Sequence, residues 1–423
     1  MEGNIMEDDG RNYTLHCVES GEQVEERYTL MCPNGHKGLL RARYKARQLT
    51  VGPEQNIFRF KDWLPVSTTF DSKAGPVAFR SEGLSKELGL SDLWIGFTGY
   101  YPERGAYAVS GSFKELEALP TYARLQDFSD DSVVIASAGN TARAFAEIGN
   151  QIGRRCVIVV PDKAADGMTV TKDNGYATLL SVDGDYADAI AVADRIAAMD
   201  GYVPEGGARN IARRDGMGTV MLEGAVRMNR LPDHYFQGVG SGTGGIAAWE
   251  AATRLIDDGR YGSKLPRLEL SQNEPFTPMK RAWDARRREI LPEDLGHDGA
   301  VFEVYADVLT NRKPPFSMAG GVFDAMSATD GRFHSATNAE AKEAEKLWNS
   351  IENACPNPAA SVALASLIKA VDEGLVERDA CIFLNMTGGG LERAREDHVM
   401  DRVPVKAKLT KDVSDEELRE VLA

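Results

Sequence analysis

From about residue 75 onward the chain alternates short apolar runs with alanine-rich amphipathic stretches, the pattern of strand-helix-strand units on a mostly parallel sheet. One unit reads Val133-Val134-Ile135-Ala136, a turn, a helix over about 141–148, then Cys156-Val157-Ile158-Val159-Val160. Further strands end near Leu179-Leu180, Phe236-Gln237-Gly238, Leu268-Glu269-Leu270 and Ile382-Phe383-Leu384. The expected fold class is α/β. Ligands in such folds bind beyond the carboxyl ends of the strands, so the loops after these runs are where chemistry is sought.

The 423 residues are 43% hydrophobic, enough apolar material for a core shared by two or more units. A formal net charge of −15 repels polyanions, so nucleic acid is not an expected partner. A local group of Arg or Lys can still hold a small anion, because physiological salt screens charges over about 8 Å. The longest apolar runs, such as 156–161, fall far short of the roughly 20 residues that span a bilayer. The opening MEGNIMEDDG is acidic and lacks the basic-then-apolar order of a secretory leader. Cys17, Cys32, Cys156, Cys355 and Cys381 are too few and too scattered for a disulfide framework. A cytoplasmic location with no membrane role is the expectation.

Residues 1–62 have the look of an extension of short β segments, with Tyr28-Thr29-Leu30-Met31 before Cys32 and Leu39 to Tyr44 after it. The arrangement resembles a degraded zinc ribbon. Ser20 and Gly35 stand where second cysteines would complete each pair, and adding His36 gives at most three ligands. A small β subdomain without metal is expected. Near the other end, Ser414 followed by Glu417 is a capping box for a last short helix.

Four polar turns carry candidate chemistry. Gly238-Val239-Gly240-Ser241-Gly242-Thr243-Gly244-Gly245 follows an apolar strand and opens a helix, a context suited to phosphate: glycines allow close backbone approach and the helix N-terminus favours an anion. Gly240, Gly242 and Gly245 also satisfy the dinucleotide-binding spacing, with Glu269 as a ribose ligand, so that reading competes. Ser110-Gly111-Ser112-Phe113-Lys114 leads a lysine into a helix start. Alone, such a lysine is ordinarily a solvated helix residue; chemistry needs a neutral amine able to attack an aldehyde. Ala136-Ser137-Ala138-Gly139-Asn140-Thr141 is rich in side-chain donors, which capping alone would explain or which could hold a carboxylate. Met386-Thr387-Gly388-Gly389-Gly390 would by itself be a flexible turn.

Taken in order, the Ser-Phe-Lys of 112–114, the Gly-Asn-Thr of 139–141, the glycine-rich loop and the Thr-Gly-Gly-Gly of 387–390 resemble the fold-type II pyridoxal-phosphate (PLP) enzymes, the group of threonine synthase and the cysteine synthases. The likeness runs over about 63–395, and Pro204-Glu205-Gly206-Gly207-Ala208-Arg209-Asn210 is similar to threonine synthase as well. It implies a tryptophan synthase β-like fold. Lys114 would then carry the cofactor as a Schiff base and Asn140 contact its ring hydroxyl. Gly240, Ser241, Gly242, Thr243 and Gly244 would cradle its phosphate, and Thr387 meet its pyridine nitrogen. Ser137, Asn140 and Thr141 would hold a substrate carboxylate. It further implies 1–62 as the β extension, 63–122 with 227–405 as a large cofactor-binding domain, 123–226 as a small mobile α/β domain, 406–423 as a C-terminal helical tail, and a homo-oligomer.

Glu115 and Leu116 follow the lysine where threonine synthases usually read Asp-Arg, and Ser112 to Ala118 resembles instead the cysteate synthase family of coenzyme M biosynthesis. This implies β-replacement on O-phospho-L-serine by sulfite. Arg104, Arg143, Arg209, Arg312 and Lys313 are candidates for holding the two anions. The alternatives are a threonine synthase acting on O-phosphohomoserine, an NAD-dependent oxidoreductase and a non-catalytic binding protein of the same fold.

Overall fold

The apolar runs assemble into two parallel sheets. In the computed structural model, which describes residues 10–423, the larger has six strands. Their order is Arg332–Ala336, Arg267–Asn273, His234–Gly238, Cys381–Met386, Asp92–Phe97 and Val77–Arg80, all parallel except the antiparallel edge pair 77–80 with 92–97. The smaller has five parallel strands in the order Tyr202–Pro204, Ser132–Ile135, Cys156–Pro161, Ala177–Asp183 and Val405–Thr410. The expected first unit is present, its helix running over Asn140–Ile152. The acidic segment 1–9, expected to lack a leader, lies outside the described residues. Among the described residues no helix is long and apolar enough to cross a membrane.

Five helices position the site: α1 (Glu115–Gln126), α2 (Asn140–Ile152), α3 (Ile211–Met228), α4 (Thr243–Asp258) and α5 (Pro358–Asp372). Helix α5 is almost wholly apolar over Ala359–Leu367 and lies buried against the larger sheet. Helix α3 packs between α1 and α4. The expected boundary after residue 226 assigns all of it but Arg227 and Met228 to the smaller unit. Near its end it touches the larger unit, where the Gly224 backbone lies against the Phe383 ring of the larger sheet.

Two further expectations change. Tyr28–Met31 is not a strand. Tyr28 has φ of 60° and turns its hydroxyl inward, accepting from Asn210 (3.2 Å) and donating to the Pro204 carbonyl (3.4 Å). The strands of the N-terminal sheet are Tyr13–Cys17, Gln23–Val24 and Leu40–Tyr44. The tail beyond 405 begins as a strand, because Leu409 buries its side chain against the smaller sheet's core. Only Asp415–Leu422 is helical, capped by Ser414 accepting from the Glu417 N–H (3.2 Å).

Candidate active site

Lys114 sits at the N-cap of α1, on a turn fastened to the end of a strand of the larger sheet. The Phe113 N–H donates to the Thr387 carbonyl and the Gly389 N–H to the Gly111 carbonyl, each at 3.0 Å, and Ser112 pairs with Gly388. The turn after Met386 is therefore held in place on both sides. Its glycines are steric necessities: a Cβ on Gly390, at φ 72°, would fall 1.8 Å from the Tyr100 carbonyl oxygen, and one on Gly388 would fall 2.4 Å from that of Gly111. Lys114 and Thr387, 273 positions apart, are thus joined through one backbone hydrogen bond.

The Lys114 amine donates to Glu117, one turn further along α1. Glu117 is buried and also accepts from Arg213 of α3 (Nε to Oε2 2.7 Å), and Arg213 pairs in turn with Glu205. Burial opposes the Glu117 charge, but Arg213 and Lys114 outweigh it and hold the carboxyl below its usual range. Glu115 behaves oppositely. Burial, with Glu147 nearby, raises its carboxyl to about 8, so it is largely protonated at neutral pH while accepting from the Ser110 N–H (2.7 Å). It braces the turn that carries Lys114.

The glycine-rich loop leaves the strand His234–Gly238 and ends in α4, whose N-cap, Gly242, has φ of 77° and no side chain to cap with; the Thr243 N–H donates to Ser241 Oγ (3.3 Å) and the Gly245 N–H to the Gly242 carbonyl (3.0 Å). Ser241 and Thr243 hydroxyls bond each other at 2.8 Å. The N-terminus of a 16-residue helix, beside two hydroxyls and a glycine-rich backbone, suits an anion. Glu269 does not serve this loop: it is buried between His234 (2.9 Å) and His334 (2.7 Å) in the body of the sheet, which removes the ribose ligand that the dinucleotide reading needs.

On the smaller sheet, Gly139 is the N-cap of α2, again with no side-chain cap, and a Cβ placed on it would meet open space. Ser137 Oγ accepts from the Gly139 N–H at 3.2 Å, and Asn140 Oδ1 accepts from Arg143 at 3.4 Å. Thr141 occupies the first turn of the same helix. The donor set is an amine, the glycine-rich start of α4, the start of α2 without a side-chain cap, and the buried Thr387. Those groups fit a phosphorylated pyridine aldehyde: the amine for its carbonyl, the cradle on α4 for its phosphate, the second helix start for a substrate carboxylate.

The basic candidates separate. Arg104 is engaged by Glu352 (3.2 Å) and lies 4.3 Å over the Phe79 ring, so its charge is matched and it leaves the set of anion ligands. Arg312 and Lys313 are exposed, just beyond Val308 and Leu309, which lie against Gly240 of the glycine loop. Arg209 is half-buried in the turn after Glu205, with no ion pair among the described residues. Arg143, on the first turn of α2, has a buried Nε without a hydrogen-bond partner. Burial and the nearby charge of Arg395 hold its guanidinium below the ordinary value. Arg395 lies on the helix Leu391–Asp397 that follows the Thr387 turn. Sequence reasoning missed Arg395, Arg213, Glu205, Glu115 and Glu117. Only Glu117 carried a signal, its place three residues after Lys114 on a helix.

A family model described as pyridoxal-phosphate dependent enzyme matches residues 76–388. The chain is 52% identical over 386 residues to the cysteate synthase of Methanospirillum hungatei, covering 91% of this chain and 92% of that protein. It is 48% identical to the cysteate synthase of Methanosarcina barkeri, over 96% of this chain and 99% of that one. Among solved structures, maize serine racemase superposes with a TM-score of 0.55 at 16% identity, covering 76% of this chain and 90% of its own. The serine racemase of Dictyostelium discoideum does so at 0.52 and 16%, covering 74% and 91%. Identities this low speak for a shared fold.

Proposed function

Since the chain belongs to the cysteate synthases within the pyridoxal-phosphate dependent enzymes, with their fold-type II architecture, we propose that it converts O-phospho-L-serine and sulfite into L-cysteate and phosphate, a step of coenzyme M biosynthesis. The observation that supports this substrate pair most directly is the arginine pair Arg143 and Arg395. The Arg395 charge reaches Arg143, and neither makes an ion pair among the described residues, in a protein of net charge −15. A dianion bound there would offset the two like charges.

When bound, PLP supplies an aldehyde that a lysine amine can hold and a conjugated ring that takes up electrons from the substrate Cα. The residues that would hold it are Lys114, Asn140, Thr387 and the Gly240 to Gly244 cradle. The N-terminus of α2, with Ser137, Asn140 and Thr141, holds the substrate carboxylate and so fixes the direction of the Cα–H bond. Lys114 takes that proton and later returns it to Cα. Glu117 orients the amine, and Arg213 shares the Glu117 charge. At Cβ the C–O bond breaks and phosphate departs with its electron pair; the sulfite sulfur lone pair then forms the C–S bond. Arg143 and Arg395 hold the leaving phosphate and the entering sulfite in turn. The reading includes a cytoplasmic homo-oligomer with small-molecule substrates.

Phosphate release from O-phospho-L-serine, with and without sulfite, tests the reading on PLP-loaded protein with O-phosphohomoserine and Lys114→Ala in parallel. Sulfite-dependent release that vanishes in Lys114→Ala supports it. Release from O-phosphohomoserine alone moves the assignment to threonine synthase, and release from neither removes the catalytic reading.

A further inference from the structure

The N-terminal sheet carries a second cluster that the reaction does not use. Cys17 ends the strand Tyr13–Cys17, and Cys32 and His36 lie in the loop that leads to Leu40–Tyr44, the strand paired with it. The two segments are tied by Glu19, whose carboxylate accepts from the Lys37 (3.0 Å) and Gly38 (2.9 Å) N–H groups. Both cysteines are buried and free. Their sulfurs and one ring nitrogen of His36 all lie within 4.8 Å of one another. The sequence counted at most three ligands here and favoured no metal; the fold brings all three to one point.

The geometry is that of a coordination site. A tetrahedral zinc ion with Zn–S of about 2.3 Å and Zn–N of about 2.0–2.1 Å sets its sulfur and nitrogen ligands about 3.5 Å apart. Cys32 Sγ and His36 Nδ1 are 3.4 Å apart. Thiolate and imidazole together select zinc over the hard, oxygen-seeking cations.

We propose that Cys17, Cys32 and His36 bind a structural zinc ion, with an oxygen at the fourth corner supplied by Ser20 or by water. Its role follows from what lies between the two cysteines. Glu26 and the Thr29 carbonyl accept from Arg124 of α1 (2.8 and 2.9 Å), and Tyr28 holds Asn210 and Pro204. Coordination closes this loop at its base and keeps it pressed on the back of the helix that carries Lys114. None of this depends on the reaction assigned above.

The test is the metal content of the full-length, PLP-loaded protein purified from zinc-supplemented cells, with cobalt substitution as a second readout. Zinc near one per chain is expected, together with a thiolate-to-cobalt charge-transfer band on exchange. Cys32→Ser and His36→Ala should each lose the zinc. Ser20→Cys should slow extraction by a chelator at least tenfold, on the order expected from a fourth protein ligand, and it decides the question even if the other variants fold poorly. Background zinc with no cobalt band in the wild-type chain would overturn the proposal, as would zinc retained by both Cys32→Ser and His36→Ala.

Discussion

Gly216 of α3 lies so close to the Leu116 carbonyl of α1 that a Cβ there would sit 1.9 Å from the oxygen. Pro120, four residues after Leu116, has no N–H to offer, so that carbonyl lacks its helical partner. The bare Gly216 backbone fills the gap and lets the two helices approach. Gly216→Ala must push α1 away, carrying Lys114 with it. We expect a loss of about 1–3 kcal/mol, in the range of overpacked cores, and a fall in kcat greater than the change in KM. Denaturant unfolding and steady-state kinetics measure the two parts; unchanged kcat would detach Lys114 from this contact.

Glu117→Gln removes the anion shared by Lys114 and Arg213 and leaves a buried guanidinium with only Glu205. Breaking such a pair costs about 3–5 kcal/mol. Thermal unfolding should show the loss, while the orientation of the Lys114 amine should suffer in kcat. Glu117→Asp, which keeps the charge, should recover part of both.

Glu115 makes stability depend on pH in the alkaline direction. Its carboxyl titrates at about 8 when folded and near the ordinary carboxylate value when unfolded. The unfolded chain therefore releases this proton first as pH rises, so the contribution is fully present below the unfolded value and is lost on the way up to pH about 8. Glu115→Gln keeps an acceptor for the Ser110 N–H without the ionisation. It should flatten the fall in unfolding free energy between acidic and alkaline buffer by a few kcal/mol, roughly 1.4 per pH unit at most. An equally steep fall in the variant would exclude Glu115 as the source.

Arg143→Ala and Arg395→Ala should each raise KM for O-phospho-L-serine by about tenfold to a hundredfold, the size of one charged hydrogen bond of about 1.5–3 kcal/mol. Neither should disturb the cofactor's absorption, since neither is among the residues that would hold the cofactor. Combining them should cost less than the sum of the two, because either removal spoils the same clamp. Full additivity would mean that they bind different groups.

Much of this molecule was legible in one dimension. Apolar runs separated by amphipathic helices specify parallel strands with their ends exposed to ligand, because burial on both faces requires continuous apolar sequence. Lys114, the glycine-rich loop before α4 and the turn at Thr387 each follow such a run, so their place at the strand ends could be read from local pattern and family likeness. What the chain order could not contain were distances across it. The bond between the Phe113 N–H and Thr387, the charge chain from Lys114 through Glu117 to Arg213, the influence of the Arg395 charge on Arg143 and the convergence of Cys17, Cys32 and His36 all join residues on separate elements. Periodicity sets which face of an element is buried; only close packing decides which buried or charged group it meets there.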